Sequence, residues 1–129
     1  MPKTNNDSNE EPTNEISVTP FRLLLSPGQR PDALEMISGP DAPRLYELGS
    51  PEMVIGRAND AAIAVSSTDL SRRHVLVRKN PAGQIVIQDL DSRNGVYVNG
   101  VKIHSAVLHD GDNVQLGSVV FVFHEGRTA

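Results

Sequence analysis

Cysteine and tryptophan are absent from this 129-residue chain, which holds only three phenylalanines and two tyrosines. Without cysteine, a disulfide scaffold, thiolate catalysis and cysteine-type zinc sites are all excluded. With so few aromatics, a core must rest on Val, Ile and Leu, side chains that favour a pleated sheet. No apolar run approaches the ~20 residues that cross a bilayer. The opening MPKTNNDSNEEPTNE has no apolar stretch of the secretory kind. The expectation is therefore a soluble cytoplasmic protein with no membrane contact, and the sequon Asn6-Asp7-Ser8 carries no weight. An excess of positive charge is also missing. Twelve basic residues face sixteen acidic ones, a formal net charge of -4, so no broad field attracts nucleic acid or anionic lipid. Sustained helical periodicity is the last absence, since prolines interrupt most candidate segments.

What is present divides into two textures. Residues 1–20 are Asn, Glu, Pro, Ser and Thr with almost nothing apolar, and carry -3 of the formal -4. Such a stretch cannot bury enough surface to offset its ordering entropy and reads as a disordered acidic tail. Residues 21–32 include the apolar run FRLLL and the breaker Ser26-Pro27-Gly28, a linker or an extra edge segment. From 33 to 125, short Val/Ile/Leu runs alternate with turn signals: ALEMIS, RLYEL, EMVI, AIAV, HVLVRK, QIVIQDL, VYV, VKI, NVQLG and VVFVFH. NVQL alternates as a half-buried strand does, whereas Ile85-Val86-Ile87 is apolar throughout, as in a strand covered on both faces. Asn99-Gly100 between VYV and VKI predicts a tight hairpin, since both residues tolerate positive φ. Many short strands with regular turns predict an all-β sandwich of two antiparallel sheets.

Three loop segments at strand ends carry the chemistry. Gly56-Arg57 follows EMVI, Ser71-Arg72-Arg73-His74 opens HVLVRK, and Ser92-Arg93-Asn94-Gly95 lies between QIVIQDL and VYV. Adjacent strands of a sandwich can gather such loops at one end. That would concentrate Arg57, Arg72, Arg73 and Arg93, four of the nine arginines, on one surface of a nearly neutral domain. Guanidinium groups repel one another, and a cluster beside a hydroxyl and an amide suits a compact dianion. Arg offers a planar fork of donors to phosphate oxygens, and Ser and Asn add neutral hydrogen bonds. Asn also pairs a donor with an acceptor, which can tie down an extended peptide backbone. The residues alone thus reach an oxyanion or phosphate site on a β-sandwich.

The ordered set Gly56-Arg57, Ser71-Arg72-Arg73-His74, Ser92-Arg93-Asn94-Gly95 and Asn99-Gly100 resembles the signature of the forkhead-associated (FHA) family. The resemblance covers roughly residues 33–124 and is of the small bacterial stand-alone type. It implies a β-sandwich whose loops bind phosphothreonine in partner proteins, with no cofactor and no metal, and so an adaptor in Ser/Thr kinase signalling. By the same resemblance Arg57 grips the phosphate, Ser71 donates to it, and Arg72 and Arg93 contact phosphate or peptide. Asn94 holds the peptide backbone, while Gly56, His74, Gly95, Asn99 and Gly100 support the site. One departure is Val96, where the family often has Thr.

Competing readings are weaker. Ser71 and His74, with Asp69 or Asp89, could form a nucleophile pair, but no nucleophile elbow is present. Asp89-Leu90-Asp91-Ser92-Arg93-Asn94 starts like a calcium loop, then puts Arg93 at a ligand position and lacks the required Gly and Glu. Asp110-Gly111-Asp112 reads as a turn, and His104, His109 and His124 are scattered. A phospho-independent protein-interaction scaffold is the alternative to a phosphate reader. Thr4, Thr13 and Thr19 stand in the tail as phosphorylation candidates. Once phosphorylated, the tethered tail could occupy the site at millimolar effective concentration and autoinhibit it.

Overall fold

In VVFVFH, alternate residues Val119, Phe121 and Phe123 are buried, and they form the spine of the core. The computed structural model describes residues 30–126. The tail, its threonines and the FRLLL run lie outside the described residues. Among the described residues eleven strands occur in the order β1 Ala33–Ser38, β2 Arg44–Glu47, β3 Glu52–Gly56, β4 Ile63–Ala64, β5 Val75–Lys79, β6 Ile85–Asp89, β7 Val96–Val98, β8 Val101–Ile103, β9 Ser105–Val107, β10 Asn113–Leu116 and β11 Val119–His124. They make one six-stranded sheet, β2-β1-β11-β10-β7-β8, and one five-stranded sheet, β4-β3-β5-β6-β9.

The inner faces supply the core. Leu34, Met36, Val114, Leu116, Phe121 and Phe123 come from the six-stranded sheet; Ile55, Ile63, Val75, Val77 and Ile87 come from the other. Strand β6 lies between β5 and β9, and Ile85, Val86 and Ile87 are all buried, as their continuous apolarity predicts. Asn99 and Gly100 have φ of 50° and 82°, the two positive values that a type I′ hairpin needs.

Two elements differ from expectation. Of AIAV only Ile63 and Ala64 form a strand, and β4 runs parallel to β3, pairing Ile55 with Ile63. The sheets are thus mostly, not wholly, antiparallel. Residues 57–62 loop around and bring the chain back in the direction of β3, so Arg57 starts a loop and not a hairpin. Strand β9 carries no strand signal, because Ser-Ala-Val is short and only its last residue is branched and apolar. It forms because the chain passes from one sheet to the other through His104 alone, whose carbonyl accepts the Asp89 N–H at 2.8 Å. Strand β9 then closes the edge beside β6, pairing Ile87 with Ala106.

Candidate functional site

Strands β3, β5 and β6 are neighbours and alternate in direction, so the end of β3, the start of β5 and the end of β6 coincide. The register pairs Ile55 with Val75, and Val75 with Asp89. Residues 57–62, 65–74 and 90–95 therefore emerge together, as sequence reasoning expects of Arg57, Ser71, Arg72, Arg73, Arg93 and Asn94.

The first two loops are sewn to one another by backbone. Arg57 N–H donates to the Ser71 carbonyl and Ala58 N–H to the Arg72 carbonyl, both at 3.0 Å, and His74 N–H donates to the Ile55 carbonyl at 2.9 Å. This closeness explains Gly56. A Cβ there would overlap the Arg72 carbonyl oxygen and stand 2.7 Å from its carbon and 3.0 Å from Arg73 Cα. Glycine is needed for the approach of a second backbone.

His74 is fully buried and clamps the second loop to the third. Its Nδ1 accepts the Ser71 N–H at 3.0 Å, and its Nε2 lies 2.8 Å from the Gly95 carbonyl. A backbone N–H can only donate and a carbonyl can only accept, so the ring is the neutral tautomer with its proton on Nε2. Both nitrogens are committed to backbone, which leaves the Ser71 hydroxyl without a histidine base. The pairing that suggested a nucleophile is a structural clamp.

Ser71 Oγ accepts the Arg93 N–H at 3.0 Å. Asn94 Nδ2 donates to the Asp69 carbonyl at 2.7 Å, leaving its Oδ1 and second amide hydrogen for other use. The third loop is held from inside. Ser92 N–H donates to Asp89 Oδ1 and Gly95 N–H to Ser92 Oγ, both at 3.0 Å, with Gly95 at a φ of 78°. Asp89 thus serves as a turn acceptor. Among the described residues no group of three or more His, Cys, Asp or Glu is placed to hold a metal ion.

The arginines are exposed, and Arg57 Nε donates to the Leu70 carbonyl at 3.2 Å, which fixes that guanidinium. Among the described residues none of Arg57, Arg72, Arg73 or Arg93 pairs with a carboxylate. Beside them lies a depression of about 600 Å3 lined by Arg57, Asn59, Asp60, residues 66–68 and Arg72.

Asn99 and Gly100 are not brought to this cluster. They turn at the other end of β7, where Asn99 Oδ1 accepts the Asn113 N–H and its Nδ2 donates to Asp112. Val96 is a buried core residue opening β7. Sequence reasoning weighed Asp69 only as a partner of Ser71 and His74, not as the residue whose carbonyl holds Asn94, and it missed Gly117. Gly117, at a φ of 61°, sits in the β10–β11 turn, where a Cβ would come 2.6 Å from Asp69 Cβ. The Gly-Ser pair between two apolar strands signals that turn, but nothing local signals the loop it buttresses. The groove residues Asn59, Asp60, Ser66, Ser67 and Thr68 were also missed; their only signal is polarity on either side of β4.

Comparison with known proteins identifies the family. The FHA domain family matches residues 53–117. The glycogen accumulation regulator GarA of Mycolicibacterium smegmatis is 39% identical over 88 residues, which cover 68% of this chain and 55% of GarA. The chain thus spans little more than half the length of that curated relative. A solved structure from work on phosphothreonine-dependent FHA domain interactions is 30% identical, with a TM-score of 0.66, covering 72% of this chain and 94% of that one. Mycobacterium tuberculosis EmbR, solved in complex with a low-affinity phosphopeptide, is also 30% identical, with a TM-score of 0.68 over 76% of this chain and 25% of EmbR.

Proposed function

Since the chain belongs to the forkhead-associated domain family, we propose that it is a phosphothreonine-reading adaptor whose three gathered loops bind phosphorylated partner proteins. The observation that carries this reading is the state of Ser71. Its Oγ already accepts the Arg93 N–H at 3.0 Å, so its own hydrogen is free to donate, amid guanidinium groups without carboxylate partners among the described residues. A phosphate ester, with nearly two negative charges and three acceptor oxygens, fits that donor set better than a carboxylate does.

In this reading Arg57, held through Nε by Leu70, directs its remaining donors at the phosphate. Ser71 donates its hydroxyl, Arg72 and Arg93 add charge, and the unused acceptor and donor of Asn94 pair with the peptide backbone. Gly56, His74 and Gly95 hold the loops in register. The site binds without catalysing, because His74 has no free nitrogen to activate Ser71. The partners are products of an intracellular Ser/Thr kinase, or the kinase itself when phosphorylated. Thr4, Thr13 and Thr19 extend the proposal, since a phosphorylated tail would compete for the same loops.

Calorimetric titration tests it with matched threonine, phosphoserine and phosphothreonine peptides. Saturable binding of the phosphothreonine peptides that is lost in Arg57→Ala is the expected result. Equal binding of phosphorylated and unphosphorylated peptides would replace the reading with a phospho-independent scaffold.

A further inference from the structure

The 600 Å3 groove extends beyond what a phosphate needs. At one side stand Arg57 and Arg72. Asp60 also lines it, together with the hydroxyls of Ser66, Ser67 and Thr68 and the amide of Asn59. Asn94, Ser71 and Arg93 are not among its walls, so it leads away from the phosphate position on the flank remote from Asn94.

Asp60 differs from the carboxylates that the fold consumes. Asp32, Asp89, Asp110 and Asp112 each accept a backbone N–H. Asp60 is exposed, accepts no hydrogen bond among the described residues, and lies beyond ion-pair distance of Arg57 and Arg72. The groove therefore holds separated charges of both signs, cationic where the phosphate would sit and anionic farther along. Its complement is a segment carrying the opposite pair.

We infer that this groove is a specificity subsite, and that Asp60 selects a lysine or arginine near the phosphothreonine on the flank away from Asn94. The inference rests on the phosphothreonine reading and names the class of peptide that reading takes. Ser66, Ser67 and Thr68 carry no charge and Arg57 and Arg72 are taken up by the phosphate in this reading, so Asp60 is the wall that separates lysine from glutamate. A glutamate there would meet the Asp60 carboxylate. Both partners are exposed, so the discrimination is modest, about threefold to fivefold between lysine and glutamate peptides. It shrinks as salt screens the pair.

The experiment uses the full chain and synthetic phosphothreonine peptides in an alanine background. Lysine or glutamate is placed singly at each of three positions on either side of the phosphothreonine. The readout is the ratio of affinities for the lysine and glutamate peptides on one protein, which cancels any change in folded fraction. Lysine should be preferred on one flank only. The preference should vanish in Asp60→Asn and reverse in Asp60→Lys. An unchanged ratio in Asp60→Lys, or a preference equal on both flanks, overturns the subsite while phosphothreonine binding stands. Failure of the all-alanine phosphopeptide to bind wild-type protein overturns the phosphothreonine reading itself, and the subsite with it.

Discussion

The two ends of the sandwich hold their polar groups differently. At the end where β1 starts and β11 finishes, side chains are spent on the protein's own backbone. Asp32 Oδ1 accepts the Gly126 N–H at 2.6 Å, Asp110 Oδ1 the Glu125 N–H at 2.8 Å, and Asp112 Oδ2 the His109 N–H at 2.8 Å. Asn80 Oδ1 closes its turn by accepting from Ala82 and Gln84. At the opposite end Asp89, Ser92 and the buried His74 likewise bond backbone, but the guanidinium groups there are left over, and Ser71 and Asn94 each keep a hydrogen-bonding capacity unused. Polar groups consumed by the fold make a lid; polar groups held in place yet unspent make a binding site.

The contrast is sharpest at Arg57. Replacing it with alanine removes a fixed guanidinium from the candidate phosphate site, with an expected loss of about 3 kcal/mol, or roughly 100-fold, in phosphothreonine-peptide affinity by calorimetry. Urea unfolding should hardly change. His74→Ala acts through stability, because it strands two backbone groups, the Ser71 N–H and the Gly95 carbonyl, at a fully buried position. Denaturation should show a loss of about 2–4 kcal/mol, and the protein that remains folded should bind more weakly. An unchanged affinity at full folding would mean the clamp does not position the loops.

Gly56→Ala drives a methyl group into the Arg72 carbonyl. The expected cost is about 1–3 kcal/mol of stability, with an affinity loss as the Arg72 segment shifts. At the other end, Asp112→Ala removes the acceptor for His109 and Asn99. It should lower stability by about 1 kcal/mol and leave phosphopeptide affinity untouched. A drop in affinity there would erase the distinction between the ends. The smallest effect belongs to Lys79→Ala. Lys79 is half exposed and 3.8 Å from Asp32, and such a pair contributes under about 0.5 kcal/mol to a thermal or urea midpoint.

Much of this was legible beforehand where the cause is local. VVFVFH alternates because one of its faces is buried, and Asn99 and Gly100 turn because both accept positive φ. Strand β9 was illegible because its three residues have no pattern of their own and pair only when the chain crosses between sheets. The parallel pairing of β4 was hidden likewise, since direction belongs to the loop around it. Within the site, Arg57, Ser71, Arg93 and Asn94 were readable as residue types that suit phosphate. Asp60 was not, because a lone aspartate in a polar loop has meaning only beside the groove it lines.

The sequence by itself determined most of the strands and turns and the set of side chains available for an anion, all of which depend on a few neighbouring residues. Tertiary structure decided which of them meet. It put Arg72 against Gly56, gave both nitrogens of His74 to loops far apart in the chain, and sent the Asn99 turn to the opposite end from the arginines. The reason is physical: backbone preference is local, whereas a buried polar atom must find its partner wherever the fold delivers one.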